Sequence, residues 1–349
     1  RLATICGTSR YIPDLLMNAP EVIQMLSGSR LVEASSADIA SALEASARRH
    51  HNPADAIDAA RSLRRAELAR IACADVLGML DVEEVCAALS TIWVAVLNAG
   101  LSVTTREHLE SAGLAEQDAP ARIAVIGMGR LGSREIGYSS DADVMFVCQP
   151  TEAAESNQEA LQWSTEVIDK LQQLLKKPST DPPLEIDADL RPEGKKGALV
   201  RTLESYRTYY EEWAEPWELQ ALLRAEPLAG DMELGQKFIE AVNPLRYPKK
   251  LPVQVTQQIR RMKVRVETER MPRGVDPSLH TKLGRGSLSD IEWTVQLLQL
   301  QHAYAYPELQ VTSTRAALEA ATQAGLLSLD DEDTLWIAWS RATSTRNAL

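Results

Sequence analysis

Apolar residues recur at helical spacing over two long stretches near the start of the chain. Across residues 55–79 the positions Ile57, Ala60, Leu63, Leu68, Ile71, Ala72 and Val76 form one stripe, with Arg61, Arg64, Arg65 and Arg70 mostly between them. This predicts a long amphipathic helix after Pro53, with the arginines on a solvated face. Gly78 to Asp81 breaks the pattern, and a second stripe runs through Val85, Leu89, Ile92, Trp93 and Val96. Residues 1–115 therefore read as helical throughout.

The texture changes at Ala119-Pro120. Ile123-Ala124-Val125-Ile126 is a short apolar run bounded by Pro and Gly, as a buried strand requires, and residues 144–148 are another. A helical stripe of Leu161, Trp163, Val167, Ile168, Leu171 and Leu175 follows. Pro182-Pro183 stops it, and residues 184–190 alternate as a third strand. Helices carrying Tyr206, Tyr209, Tyr210, Trp213 and Trp217 come next, and the chain is helical again from Pro252 onwards. The expected class is α+β, divided into a helical region (1–115), a small mixed sheet with flanking helices (116–245) and a helical bundle (246–349).

Composition narrows the partners. The 349 residues are 45% hydrophobic and 25% charged, and no apolar run is expected to reach the roughly 18–20 residues of a membrane span. A net charge of -12 opposes broad contact with a nucleic-acid backbone, so neither membrane nor nucleic acid is expected as partner. Cys6, Cys73, Cys86 and Cys148 lack CxxC spacing and no signal peptide precedes them, which predicts reduced thiols and a cytoplasmic setting. Cys148 reads as core filler. The five histidines form no spaced cluster, which argues against zinc. The start at Arg1 and the finish within a helical stretch read as those of an excised fragment. With only two Phe, the seven Trp are expected to anchor helix packing.

Candidate chemistry sits between the first two strands. Gly127-Met128-Gly129-Arg130-Leu131-Gly132 matches the dinucleotide fingerprint GxGxxG. A Rossmann unit needs a crossover helix of a dozen or so residues, and Gly137-Tyr138-Ser139-Ser140 stops any helix after about two turns. What remains is a short helix whose amides face a phosphate, followed by Asp141 and Asp143. Two-residue spacing on an extended chain puts both carboxylates on one face, where like charges need a cation between them. Asp187 and Asp189 repeat that spacing on the third strand. Three carboxylates would hold two Mg²⁺ ions about 4 Å apart, the arrangement used for in-line nucleotidyl transfer, with Mn²⁺ an alternative.

These residues resemble the nucleotidyltransferase superfamily that includes DNA polymerase beta: a Gly/Ser turn, Asp-x-Asp, then a later Asp on a strand. Within it, the blocks IGMGRLGSREIGYSSDADVMF, IDADLRPEGKKGALV, PWELQALLRAEPLAGD and KLGRGSLSDIEWTVQLLQL are similar to those of the glutamine synthetase adenylyltransferase family, and in the same order. The opening helical segments resemble the region leading into that family's C-terminal, adenylylating half. The family's third block ordinarily reads Asp-x-Arg-Leu-Arg-Pro. Here Asp189 stands at the first arginine and Arg191 is retained, which makes Asp187 the catalytic acid by alignment.

The resemblance implies a polymerase beta-like core and a reaction in which a tyrosine hydroxyl of glutamine synthetase attacks the α-phosphorus of ATP and releases pyrophosphate. It implies Asp141, Asp143 and Asp187 as catalytic metal ligands, with Asp189 left open. Gly129, Arg130, Gly132, Ser133, Arg134 and Arg191 would meet the triphosphate. Lys195, Lys196, Lys282, Arg285, Asp290 and Glu292 are accessory candidates, although Lys195 and Lys196 also read as a solvated turn and Asp290 as a helix cap. A PII-type signalling protein is an implied partner. Two alternatives stay open: phosphorolytic removal of AMP by the same site, and a regulatory module that holds metal and ATP without turnover.

Overall fold

The computed structural model describes residues 1–348, which form two compact units. One comprises residues 1–203 and 227–236, the other residues 204–226 and 237 onwards to 348. Packing thus differs from the three regions expected above, because residues 1–115 and the sheet share one unit.

In the first unit the N-terminal helices are α1 (Leu2–Thr8), α2 (Tyr11–Asn18), α3 (Arg30–Glu33), α4 (Ser36–Arg49), α5 (Pro53–Val76) and α6 (Val82–Ala112). The Asn52 side chain accepts the Ala54 amide, and Pro53 occupies the first turn of α5, where its missing N–H costs nothing. A reciprocal capping box between Asp81 and Glu84 starts α6, and Gly113, with φ of 70°, ends it in the left-handed region. At 31 residues, α6 extends well past its sequence stripe. It corrects the expectation of no span-length apolar run: one 18-residue window has mean hydropathy 1.7, but 67% of that window is buried inside the protein. It is a core helix, packed on α4, α5 and α8 (Asn157–Lys176).

The arginine-bearing face of α5 is also corrected. Arg61, Arg64 and Arg70 are only 2%, 2% and 4% exposed. Arg61 Nη2 donates to the carbonyls of Leu175 (2.7 Å) and Lys177 (3.1 Å), the acceptors left over at the end of α8. Arg70 is held by Glu67, Ser36 and the Leu31 carbonyl. Backbone carbonyls of distant segments, invisible to helical periodicity, replace water here.

The sheet is built from β1 (Ala121–Gly127), β2 (Ala142–Pro150), β3 (Ile186–Asp187), β4 (Val200–Thr202) and β5 (Glu226–Gly230). Its order is β3-β2-β1-β5, with β4 also on β2. β1 runs antiparallel to β2 from Ala121↔Pro150 to Gly127↔Val144, whereas β3 and β4 are parallel to β2. Ala142, Val144, Phe146 and Cys148 of β2 face the main core, so the alternate positions, Asp143 included, face the other side. Burial pushes the Cys148 thiol up to about 11, against opposing hydrogen bonds, as suits core filler. β3 is shorter than the expected 184–190 because Asp187 Oδ1 accepts the amide of Asp189 at 2.7 Å, a side-chain turn that ends the strand.

The second unit holds α9 (Leu203–Glu212) beyond its first residue, α10 (Pro216–Leu222), the later part of α11 (Met232–Arg246), α12 (Val253–Glu269), α13 (Leu288–His302), α14 (Thr314–Gln323) and α15 (Leu329–Ala348). Leu223, Ile259, Leu300, Leu309 and Ala321 form one of its cores. Trp339 is buried and stacked on Trp336 at 5.0 Å, but Trp213 is 70% exposed, so not every tryptophan is a packing anchor.

Candidate active site

The connection from β1 to β2 makes one turn of helix, α7 (Gly129–Gly132), and then returns antiparallel. An antiparallel return removes the dinucleotide reading, since a βαβ unit joins parallel strands. Met128 N donates to Asp143 O at 2.8 Å and extends the ladder by one step. Gly129 follows with φ of +51°. A Cβ on it would stand 2.3 Å from Asp143 Oδ2, so the carboxylate occupies the space that any other residue would fill.

The turn is braced from within. Ser133, 2% exposed, donates its hydroxyl to Glu135 Oε2 at 3.0 Å and is also within bonding distance of Gly129 O. Arg130 Nε donates to the Glu135 carbonyl at 2.7 Å. Ser133 is thus turned inward in this structure, whereas Arg134, also at positive φ (58°), is exposed. Sequence reasoning passed over Glu135, whose only signal is an acid placed two residues after that serine.

Tyr138 lies further along the same connection, and its hydroxyl donates to Asp75 Oδ2 on α5 at 3.1 Å. Burial raises the Asp75 carboxyl above the usual range, with the tyrosine hydrogen bond opposing it. Burial and the neighbouring carboxylate push the Tyr138 phenol up as well, keeping it a donor.

Asp143 and Asp187 are direct partners in the parallel β2–β3 ladder, so their side chains leave the sheet on one face. Asp141, exposed just before β2, precedes Asp143 by two residues. Among the described residues, no three His, Cys, Asp or Glu side chains converge on one metal-sized point. The ladder pairs two acids, Asp143 and Asp187, and Asp141 precedes Asp143 on the exposed approach to β2.

Asp189 is occupied elsewhere. Its carboxylate faces Lys195 Nζ at 3.2 Å and Arg191 Nη1 at 3.7 Å. Arg191 donates to the carbonyls of Ala188 (2.7 Å), Gly197 (3.1 Å) and Lys195 (3.2 Å), stapling the turn after β3. Lys195 and Lys196 are exposed on that turn.

The remaining candidates lie in the second unit. Lys282 and Arg285 are exposed in the loop before α13. Asp290 accepts from Lys263 and from the Gly286 amide at 2.6 Å. Burial alone would raise its pKa, but these bonds overcome burial and hold it below the ordinary value. Glu292 Oε1 stands 3.7 Å from buried Arg224. Both acids brace the start of α13.

The first unit therefore belongs to a mixed α+β class in which two acids paired on neighbouring strands share one face of the sheet, with Asp143 beneath a glycine turn. Residues 1–241 match the family model for glutamate-ammonia ligase adenylyltransferase, and residues 254–349 match that for GlnD PII-uridylyltransferase. The chain belongs to the glutamate-ammonia ligase adenylyltransferase family. It is 55% identical to a bifunctional glutamine synthetase adenylyltransferase/adenylyl-removing enzyme of Mycobacterium avium (strain 104), with all of this chain and 35% of the relative covered. Identity to the proteins of the same name from Mycobacterium leprae (strain TN) and Mycobacterium tuberculosis (strain ATCC 25618 / H37Rv) is 56% and 55%, with the same coverage. The chain spans about a third of the length of the curated relatives it matches.

Proposed function

We propose that this chain transfers AMP from ATP to a tyrosine hydroxyl of glutamine synthetase, and that its sheet is a polymerase beta-like nucleotidyltransferase core. The observation that carries the reading is the in-register pairing of Asp143 with Asp187 beneath Gly129. Two carboxylates on one face, open to a turn of backbone amides, fit Mg²⁺ or Mn²⁺, which take one or two carboxylates together with substrate phosphates. The names of the relatives, which join glutamine synthetase to adenylyl transfer and removal, support the choice of substrates.

In the proposed reaction the phenolic oxygen bonds to the α-phosphorus, the bond from that phosphorus to the β-bridging oxygen breaks, and pyrophosphate leaves. Asp141 and Asp143 would hold a divalent cation against the triphosphate, and Asp187, which would complete the metal-binding set, orients the attacking hydroxyl and accepts its proton or passes it to water. Held by these residues, divalent cations would supply charge neutralisation at the triphosphate and would favour the ionised phenol, whose ordinary pKa is about 10. Gly129 and the exposed Arg134 are assigned to the phosphates; Gly132, buried with its amide donated to the Met128 carbonyl at 2.9 Å, joins Arg130 and Ser133 in shaping the turn, and Arg191 holds the β3 turn. The match of residues 254–349 to a PII-uridylyltransferase model supports a PII-type signalling protein as a regulatory partner.

Incubating the protein with Mg²⁺, α-labelled ATP and unmodified glutamine synthetase tests this reading. Label should be retained on glutamine synthetase and lost with Asp143→Asn, while the variant keeps the parent melting curve. A fully active Asp143→Asn overturns the metal assignment, and phosphate-dependent release of ADP from the adenylylated protein without forward transfer would reassign the site to removal.

A further inference from the structure

β3 contains two residues, Ile186 and Asp187, joined to β2 by two ladder pairs. So short a strand has little power to fix its own register, yet a slip of one residue would send Asp187 to the opposite face from Asp143. Something outside the sheet must set it. The segment before β3 is held by α5: Arg64 donates to the carbonyls of Pro182 (2.8 Å) and Pro183 (3.3 Å), and Arg65 pairs with Asp181. Arg64 is itself fixed, buried and lying over the Trp93 ring of α6 at 5.4 Å.

The same helix holds the segment before β2, through Asp75 and the Tyr138 hydroxyl. Arg64 and Asp75 lie eleven positions apart, which at 3.6 residues per turn returns them to within about 20° of one face, roughly 16 Å apart along the axis. Asp143 then lies five positions after Tyr138, and Asp187 five positions after Pro182. Two tethers of equal length therefore run from one face of one helix to the two carboxylates.

We propose that Arg64 and the Asp75–Tyr138 pair are positioning residues: α5 fixes the register of β3 against β2, and with it the shared orientation of Asp143 and Asp187. The catalytic consequence rests on the reading of that pair proposed above, whereas the register claim stands without it. On this view the N-terminal helices belong to the site as its scaffold, and the buried arginine stripe is the device that sets a distance too small for the short strand to hold.

The register is tested by cross-linking. In a Cys6→Ser background, Asp143→Cys with Asp187→Cys places two thiols on directly paired residues of neighbouring strands, whose spacing of about 4.8 Å lies within the range a disulfide bridges. The other cysteines are buried and do not compete. Mild oxidation should close this bridge readily, and adding Arg64→Met should slow closure severalfold at unchanged far-UV circular dichroism. Arg64→Lys, which keeps the charge but lacks the fork that reaches both carbonyls, should fall between and serves if Arg64→Met does not fold. With the natural aspartates restored, Arg64→Lys should lower kcat by about tenfold to a hundredfold, the scale of a misplacement of about 1 Å, and raise the Mg²⁺ concentration for half-maximal rate with KM for glutamine synthetase unchanged. Equal bridge closure with and without Arg64 overturns the positioning role whatever the kinetics. Slower closure with unchanged kcat keeps that role and overturns the assignment of the pair to catalysis.

Discussion

Replacing Gly129 by alanine introduces a single methyl group at the most constrained point of the candidate site. The backbone there has φ of +51°, a conformation that costs an L-residue about 1–2 kcal/mol. The new Cβ would stand 2.3 Å from Asp143 Oδ2 and 3.0 Å from its Cγ, where ordinary contact begins at 3.4 Å. The carboxylate must therefore retreat by about 1 Å, a displacement on the scale that costs roughly a hundredfold in rate, or about 2.7 kcal/mol in the barrier. Thermal melting should report a loss of about 1–3 kcal/mol, since the strain and part of the clash remain in the folded state. The AMP-transfer assay, run at saturating partner across a Mg²⁺ titration, should report the fall in kcat. Arg134→Gly is the control for strain alone: Arg134 also has positive φ (58°), so glycine there should raise the melting temperature. A Gly129→Ala protein with kcat within about twofold of the parent would refute the reasoning, because a carboxylate that moves without consequence holds no metal.

Asp189→Ala should be tolerated far better than Asp187→Ala in the same assay, because the Asp189 carboxylate meets an exposed lysine and a surface pair of this kind contributes about 0–1 kcal/mol; the reverse order would exchange their roles. Burial raises the Asp75 carboxyl above the ordinary aspartate range, so the folded state keeps that proton to higher pH than the unfolded chain and this group's contribution to stability is lost as pH rises from the ordinary value through the raised one. Asp75→Asn, which still accepts from Tyr138, should therefore gain stability relative to the parent in denaturant titrations as pH is raised from about 4 to 7, and a constant difference would show that burial does not act on this carboxyl. Iodoacetamide at neutral pH should modify exposed Cys6 first, leaving Cys73 and Cys148, whose thiols burial pushes up to about 11, unmodified until the protein unfolds. Early modification of Cys148, read by peptide mass, would contradict its place in the core.

Local pattern determined much of this protein. The stripe in α5, the stop before α6, the apolar runs of β1 and β2 and the Asp-x-Asp spacing follow from periods of 3.6 and 2, which a sequence displays directly. The brevity of the glycine-turn segment excludes a dinucleotide-binding crossover on length alone, and the antiparallel pairing of β1 and β2 agrees. Tertiary structure decided what depends on distant partners. Arg61, Arg64 and Arg70 read as a solvated face because a helix reports only its own periodicity; the acceptors of Arg61 and Arg64 lie more than a hundred residues away, and Arg70 reaches Leu31 and Ser36 besides Glu67 of its own helix. The short strands β4 and β5 escaped notice because a few residues carry too little alternation to stand out. The same limit applies to Asp187 and Asp189: their spacing is identical to that of Asp141 and Asp143, and only the pairing of β3 with β2 placed Asp187 beside Asp143 while Lys195 and Arg191 drew Asp189 into the turn. A sequence states which side chains share a face, whereas which face meets which is settled by packing and by the hydrogen bonds that buried polar groups require.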